Sequence, residues 1–509
     1  MADGLVQESG APVKSGAKGT ELGRRSRAEA FGTIAVSVSN VVKYAVQLGI
    51  LPVLARLIGP REYGLVALAV PFILFCNVLT DVGLSNALAR KRDPSAEVES
   101  TVFWLTGGIG LALALLFCLL AWPIAMILGH PQLPLLIIAL SPVVVMCGLT
   151  AVGNARIIRT GRFAVFAGGD VVSTVVSSSV ALAAALHGLG AWSIVAQQLA
   201  FWACKLAWVH IGSRVRVKLV CKPREVLDLI RFGGHSLGSM LGDFATRNID
   251  NIIVGGVLGA LPLGYYAMAY QIIRVPDFVI SGPLYLFVFS RIAHQAETNA
   301  AAEMIRTTLV AVRCASVALA PIFAGLAMLA PLAIPIVLGP EWRGLIVCLQ
   351  WLSLAGFGFS MAFVFSAILM GAGRPELQLR ASIVGSVLTI GGVAATVHLG
   401  VEAVAIAVAL ATLATASLSL QMVSTHLQVP KRALLAVFAP VVAAVGGMLL
   451  ALEGGLMIMA SLPVVLQLVL LIGLGAAAYG LIILATARRQ LIGDLRFIMT
   501  GATRTEAAE

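Results

Sequence analysis

Fourteen apolar runs, each long enough to cross a lipid bilayer, follow one another along the chain. They cover about residues 33–58, 63–87, 101–128, 133–155, 164–186, 190–211, 231–258, 264–290, 307–338, 344–371, 377–398, 401–424, 433–453 and 459–487. A transmembrane helix needs roughly 20 such residues. Only 12% of the 509 residues are charged, about half the share in soluble domains. The sequence therefore predicts an all-α polytopic membrane protein of about 14 transmembrane helices.

The basic residues are divided unevenly between alternate loops. Of the 35 Lys and Arg residues, 27 fall in loops or tails on the side of the N-terminus, whereas only Arg56, Arg61 and Arg343 belong to the opposite side. Because Lys and Arg concentrate in cytoplasmic loops, we expect both termini in the cytoplasm. The net charge of +11 then reflects orientation in the bilayer, and no nucleic-acid partner is expected. The first 30 residues lack the apolar stretch of a signal peptide.

Two segments of the chain resemble each other at a constant spacing. The stretch ARLIGPREYGLVALA (55–69) aligns with VGGVLGALPLGYYAMA (254–269) at an offset of 200, matching Gly59 with Gly259 and Gly64 with Gly264. An even number of helices keeps the orientation of the chain, so the pattern indicates a parallel repeat of six helices. The predicted organisation is a disordered cytoplasmic tail (1–30), an N-lobe of helices 1–6 (31–212), a cytoplasmic linker (213–230), a C-lobe of helices 7–12 (231–425), two extra transmembrane helices (426–487) and a cytoplasmic tail (488–509).

Several charges lie inside runs that are otherwise apolar enough to cross a membrane. Asp243, Arg247 and Asp250 are spaced i, i+4, i+7 and share one helix face. The offset of 200 sets Lys43 opposite Asp243 and Gln47 opposite Arg247. A charge at the bilayer centre costs roughly 2.5–3.5 kcal/mol on insertion scales, so this arrangement calls for a functional explanation. We expect both polar stripes to face a cavity between the lobes.

Further charges follow on neighbouring helices. Arg274 and Asp277 are spaced i, i+3 on the eighth helix, and Asp81 lies near the cytoplasmic end of the second. A basic cavity at mid-membrane suits an anionic headgroup, because the guanidinium fork matches phosphate oxygens. The predicted substrate-binding residues are Lys43, Gln47, Arg247 and Arg274, and those predicted for coupling or charge balance are Asp243, Asp250, Asp277 and Asp81. Mutual pairing of these charges, and coupling to H⁺ or Na⁺ through the acids, both stay open as alternatives.

Motifs of enzymes and metal sites are missing from the sequence. There is no Walker motif, no HExxH, no GxSxG and no strand-led GxGxxG. The seven cysteines show no paired spacing, and the seven histidines are scattered. We therefore expect a protein that is not an enzyme and that uses no cofactor and no metal.

Four stretches carry a family resemblance: LARLIGPREYGLVALA (54–69), LTDVGLSNALAR (79–90), GRFAVFA (161–167) and NIDNIIVGGVLGALPLGYYAMAY (248–270). In these the chain resembles the polysaccharide-exporter family, the Wzx-type, colanic-acid-exporter-like flippases of the multidrug/oligosaccharidyl-lipid/polysaccharide superfamily. The similarity runs from about residue 31 to 425. The chain departs from the family at one point: where the family usually has two successive asparagines, this chain has Arg247–Asn248, which adds a charge.

The resemblance implies two six-helix lobes plus two extra helices, embedded in the bilayer of the bacterial cytoplasmic (inner) membrane. It implies movement of undecaprenyl-diphosphate-linked oligosaccharide repeat units to the periplasmic leaflet by alternating access, for exopolysaccharide or lipopolysaccharide synthesis. Polysaccharide polymerase or export proteins are the partners that it implies.

Two alternatives compete with this reading. A cation-coupled multidrug exporter of the same superfamily would favour acidic residues in the cavity, whereas basic and acidic residues are comparably represented here. A membrane polymerase or ligase of the same pathway would need catalytic residues on a sizeable outer loop, and the outer loops are only a few residues long. A purely structural scaffold would not require charges at the midplane.

Overall fold

The computed structural model describes residues 38–81, 84–85, 88, 94–215, 217–220, 222, 248–298 and 300–506. Fourteen helices of 11 residues or more are found in this part: α1 Val38–Ile58, α2 Pro60–Asp81, α3 Ala96–Leu128, α4 Leu133–Arg159, α5 Phe163–Leu186, α6 Ala191–Ser213, α7 Asn248–Leu258, α8 Ala260–Glu297, α9 Ala301–Val337, α10 Leu345–Gly371, α11 Pro375–Thr396, α12 Val401–His426, α13 Lys431–Ile458 and α14 Val464–Glu506. All except α7 are long and apolar enough to span a membrane. The prediction of an all-α, multi-pass membrane protein is confirmed.

The helix boundaries repeat along the chain. Both α2 and α8 begin directly after a glycine with positive φ, Gly59 at 76° and Gly259 at 92°, and the two starts lie 200 residues apart. A left-handed φ costs glycine little, so the chain reverses direction there in a single residue. Similarly, α5 and α11 each begin two residues after a positive-φ glycine, Gly161 and Gly373. The predicted lobe boundaries themselves stay a prediction.

The same helix pairs pack in the two halves. In the first half, α4 packs on α3 and α6, and α5 packs on α6. In the second half, the equivalent helix α10 packs on α9 and α12, and α11 packs on α12. Helices α13 and α14 pack on each other and on α9, through an apolar cluster that includes Leu329, Met448 and Leu471. We refer to α1–α6 as the first bundle and to α7–α12 as the second bundle; the helix pair α13–α14 packs on α9 of the second bundle.

The two bundles meet where α2 crosses α8. A methyl group on Gly64 would overlap the backbone carbonyl of Ala260, and one on Gly264 would overlap the carbonyl of Pro60. Each glycine thus lets the partner helix's backbone approach to a distance that no side chain permits, as in close helix crossings of other membrane proteins. The crossing thus places Pro60 and Gly64 of α2 against Gly264 and Ala260 of α8, which are the equivalent positions of the repeat.

The middle of α8 departs from regular α-helix. Residues Asp277–Ser281 form a π-helical turn, flanked by Pro276 and Pro283. Proline lacks the N–H that an α-helix needs in its interior and its ring crowds the preceding turn, which explains why the helix widens here. Such π-turns occur frequently at functional sites, and this one lies immediately beyond Arg274.

Candidate functional site

Two cavities lie between the bundles and share one wall. The first, of about 400 Å³, is lined chiefly by α1, α2, α6, α7 and α8. The second, of about 600 Å³, is lined chiefly by α1, α8, α10, α11 and α12. Gln47, Leu51, Tyr270, Gln271 and Arg274 line both. These five residues form the boundary across which the two chambers meet.

Arg274 carries the positive charge of this boundary. At 1.5 Å per residue, it lies roughly 20 Å along α8 from the helix start at Ala260, a distance that falls within a hydrocarbon layer about 30 Å thick when the helix start lies at the edge of that layer. Its guanidinium lies over the Tyr270 ring, 5.8 Å from the ring centroid, and its side chain is exposed to the cavities. No described residue forms a hydrogen bond or ion pair with it. A guanidinium inside a membrane helix that has no ion-pair partner in the described part of the chain is suited to an anionic ligand.

Two carboxylates line the second cavity with Arg274, and both accept hydrogen bonds from neutral groups. Asp250 is buried and accepts from the Tyr266 hydroxyl at 3.0 Å and from the Asn251 backbone N–H at 2.9 Å. Asp277 accepts from the Ser360 hydroxyl at 2.8 Å. Neither forms an ion pair with a cation in the part of the chain that the structure describes.

Lys43 lies outside both cavity linings and belongs to a cluster within the first bundle. Its Nζ lies 3.1 Å from Asp170 Oδ2, and Lys205 contacts the other oxygen of the same carboxylate. The Lys205 Nζ also lies 5.1 Å from the centroid of the Phe166 ring. One acid from α5 thus holds two ammonium groups from α1 and α6, and Lys43 has an ionic partner that Arg274 lacks among the described residues.

The predicted site residues are therefore only partly brought together. Gln47, Arg274, Asp250 and Asp277 line the second cavity, whereas Lys43 is paired with Asp170 at a neighbouring position. Arg247 and Asp243 lie outside the described residues, as does the side chain of Asp81. The assignment of these residues to substrate or ion stays a prediction.

Sequence reasoning missed the uncharged polar lining of the first cavity. Gln197, Gln198 and Gln271 join Gln47 there, with Tyr63 and Tyr270 as aromatic neighbours. A search for charges in apolar runs does not detect carboxamides. One sequence signal was available on α8, where Tyr266, Tyr270 and Arg274 recur every four residues and so share a helix face.

A family of known proteins matches residues 53–347, which is more than half of the chain, and this family is described as polysaccharide biosynthesis protein. The chain belongs to this family. The matched region contains both cavity-lining helices of the repeat, α2 and α8, and the resemblance to polysaccharide exporters is confirmed.

Curated relatives of this polysaccharide biosynthesis protein come from several bacteria. The succinoglycan biosynthesis transport protein ExoT of Rhizobium meliloti is 27% identical over 70% of this chain and 72% of its own length. The lipopolysaccharide biosynthesis protein WzxC of Escherichia coli is 22% identical, with the same coverage. The teichuronic acid biosynthesis protein TuaB of Bacillus subtilis is 23% identical over 72% of each chain.

Two solved structures share the fold. The lipid II flippase MurJ, in an inward closed conformation, superposes with a TM-score of 0.73 at 14% identity, covering 91% of this chain and all of MurJ. An inward-facing multidrug resistance transporter of the MATE family gives a TM-score of 0.60 at 20% identity, covering 76% of this chain and 98% of the transporter. The arrangement of helices in this family member is thus that of known polytopic membrane transporters.

Proposed function

We propose that this protein moves polyprenyl-diphosphate-linked oligosaccharides from the cytoplasmic to the periplasmic leaflet of the bacterial inner membrane by alternating access. The observation that carries the proposal is Arg274, a cation without an ionic partner among the described residues, at the boundary of two membrane-embedded cavities. The relative ExoT is a transport protein of succinoglycan biosynthesis, which supports the same class of activity.

In this proposal the guanidinium of Arg274 binds the diphosphate. Its planar fork offers parallel N–H donors to phosphate oxygens, and the low dielectric of the membrane strengthens that attraction. The two bundles act as the lobes that rock about the α2–α8 crossing, with both termini in the cytoplasm. The positive-inside distribution of Lys and Arg supports that orientation.

Asp250 and Asp277 are proposed to balance the charge of Arg274 while the second cavity is empty. The alternative role is coupling to H⁺ or Na⁺. Transport into vesicles with and without an imposed proton or sodium gradient separates the two roles. Coupling is supported if transport depends on one of the gradients and Asp250→Asn or Asp277→Asn abolishes that dependence. Charge balance is supported if the transport rate is the same with and without either gradient.

The central test is complementation of a strain that lacks the gene. Arg274→Ala is expected to abolish surface polysaccharide and to cause lipid-linked repeat units to accumulate on the cytoplasmic leaflet. Arg274→Lys is expected to restore part of the export, since an ammonium keeps the charge and loses the fork. Arg380→Ala is the matched control, because Arg380 is exposed on α11 and has no ion-pair partner among the described residues.

Normal export by Arg274→Ala at wild-type protein levels would contradict the role of this residue. Repeat units that reach the periplasmic leaflet and stay unpolymerised would favour a polymerase or ligase instead. Altered resistance to cationic drugs with unchanged polysaccharide would favour a multidrug exporter.

A further inference from the structure

Four glutamines from three different helices converge on the first cavity. Gln47 comes from α1, Gln197 and Gln198 from α6, and Gln271 from α8. None of the four carboxamides forms a hydrogen bond within the described part of the chain. Asn251 adds a buried side-chain oxygen that also has no partner there. Gln47 and Gln271 are exposed and Gln197 and Gln198 are half-buried, so the four carboxamides face the cavity and are open to a polar ligand, while the buried oxygen of Asn251 is costly unless something in the cavity pairs with it.

The chemistry of the lining indicates what that partner is. Each carboxamide offers two donors and one acceptor oxygen and carries no charge. Among the described lining residues, Arg274 is the one charged group, and it lies at the boundary with the second cavity. A neutral ligand with many hydroxyl groups, each both donor and acceptor, satisfies such a lining, whereas an acidic or cationic ligand would find no counter-ion among the glutamines.

The remaining walls fit a sugar ring. Tyr63, Phe201 and Tyr270 line the same chamber and present flat apolar surfaces, while the tyrosines also carry a polar end. The volume of about 400 Å³ lies within the usual range for small-molecule sites. In a glycosyl diphosphate the first sugar is bonded directly to the phosphate, so a diphosphate at Arg274, which lines both cavities, places that sugar next to either one. The carboxamide and aromatic lining favours the first cavity.

Building on the proposed function, we infer that the first cavity recognises the neutral sugar units next to the diphosphate, through Gln47, Gln197, Gln198 and Gln271. The cargo class is thus a polyprenyl diphosphate whose first sugars are uncharged. Arg274 binds the part that all such carriers share, and the glutamines select the glycan.

Binding to full-length protein in lipid nanodiscs tests this inference with three probes: a polyprenyl diphosphate without sugar, one with a neutral hexose and one with a hexuronic acid. We expect the wild type to bind the hexose carrier at least about tenfold more tightly than the other two. The double variant Gln197→Leu/Gln198→Leu should lose about tenfold for the hexose carrier and leave binding of the bare diphosphate unchanged. Gln421→Leu, at an exposed position of α12 outside both cavities, should match the wild type.

The outcomes separate this inference from the proposed function. Equal wild-type affinity for the bare and hexose carriers, or equal losses for both in the double variant at matched thermal stability, overturns the inference and leaves the flippase proposal standing. Tighter binding of the hexuronic acid carrier also overturns it. A wild type that binds no diphosphate carrier overturns the proposed function, and this inference with it.

Discussion

At the scale of single residues, the first bundle contains a charge cluster that holds itself together. Asp170 lies between the ammonium groups of Lys43 and Lys205, and the side chains of all three are less than a quarter exposed. Each of these partly buried charges has a partner of opposite sign, and removal of one partner from a buried ion pair is strongly destabilising because the remaining charge is left uncompensated. The cluster therefore stabilises the contact of α1 with α5 and α6, and it leaves one positive charge in excess.

This arrangement predicts an unequal response to removal of its members. Asp170→Asn should reduce the free energy of unfolding by about 3–5 kcal/mol, because it leaves two buried ammonium groups facing each other. Lys43→Met should cost clearly less, since Asp170 keeps Lys205. Unfolding of purified protein by SDS titration measures both values. Glu376→Gln, in the exposed Arg374–Glu376 pair at 3.6 Å, serves as a control with an expected change below about 1 kcal/mol. A Lys43→Met variant that is less stable than Asp170→Asn would refute the assigned geometry.

Some of this site follows from the sequence and some does not. The depth of Arg274 and Asp250 is predictable, because their apolar flanks fix them inside membrane helices. The partner of Lys43 is not predictable, because Asp170 lies 127 residues away and the contact depends on how α1 is rotated against α5. Gln47 was predicted from its position in the repeat, but Gln197, Gln198 and Gln271 were missed for a related reason: uncharged amides are ordinary in a helix until the fold brings several together.

At the scale of helices, the α2–α8 crossing joins the two bundles through backbone contact. The alignment of Gly64 with Gly264 was visible in the sequence, and the structure places each glycine against the opposite helix start. The sequence predicted the equivalence of these positions but not their contact, because a repeat does not specify which copies of an element touch.

Gly64→Ala and Gly264→Ala should each destabilise the protein by about 1–3 kcal/mol, because the added methyl meets a backbone carbonyl that cannot rotate away. The control is Gly391→Ala in α11, where a methyl would meet no atom within 4 Å. That substitution should be neutral or stabilising, since alanine favours helices over glycine by up to about 1 kcal/mol. The measurement is again SDS unfolding, and equal effects at the three positions would contradict the close crossing.

The C-terminal helix α14 is docked on the second bundle by charge as well as by apolar packing. Arg313 of α9 donates to Asp494 at 2.8 Å, and the ring of Phe497 lies 4.3 Å from the guanidinium carbons of Arg291 and Arg306. Each such cation–π contact contributes about 0.5–1 kcal/mol or more. These contacts connect the end of α14 to α8, the helix that carries Arg274.

Asp494→Asn should release this end of α14 while the membrane part stays folded. The substitution leaves Arg313 partly buried without its carboxylate, at a cost of about 3 kcal/mol. Hydrogen exchange followed by mass spectrometry should therefore speed up by about tenfold or more in peptides beyond residue 487. Arg489→Met, which removes an exposed charge from the same helix, should leave exchange unchanged. Unchanged exchange in Asp494→Asn would show that the Arg313–Asp494 pair is not needed to hold this part of the helix.

At the scale of the whole molecule, the bundles are closed together at the face that carries the Gly59 and Gly259 turns. Trp342, fully buried between α9 and α10, donates its indole N–H to the Ala55 carbonyl at 3.0 Å. Arg56 donates to the carbonyls of Ile336 and Val337 at the end of α9. The rings of Tyr63 and Tyr265 pack edge-on against Trp342. Ala55 and Tyr63 also line the first cavity, so that cavity ends at a contact that joins the two bundles, and alternating access requires this contact to open.

Trp342→Ala should shift the protein toward a state that is open at this face. Loss of a buried tryptophan costs about 3–5 kcal/mol. Because Trp342 makes these contacts in the closed state alone, the ratio of open to closed molecules should rise by more than a hundredfold. Spin labels at the exposed positions Leu57 and Leu261, in a background without native cysteines, report the separation of α1 from α8. Electron–electron distance measurements should show a longer population in Trp342→Ala and not in Trp122→Ala, a control at an exposed tryptophan of α3. Identical distances in both variants would mean that Trp342 stabilises the fold in every state, and the opening would have to begin elsewhere.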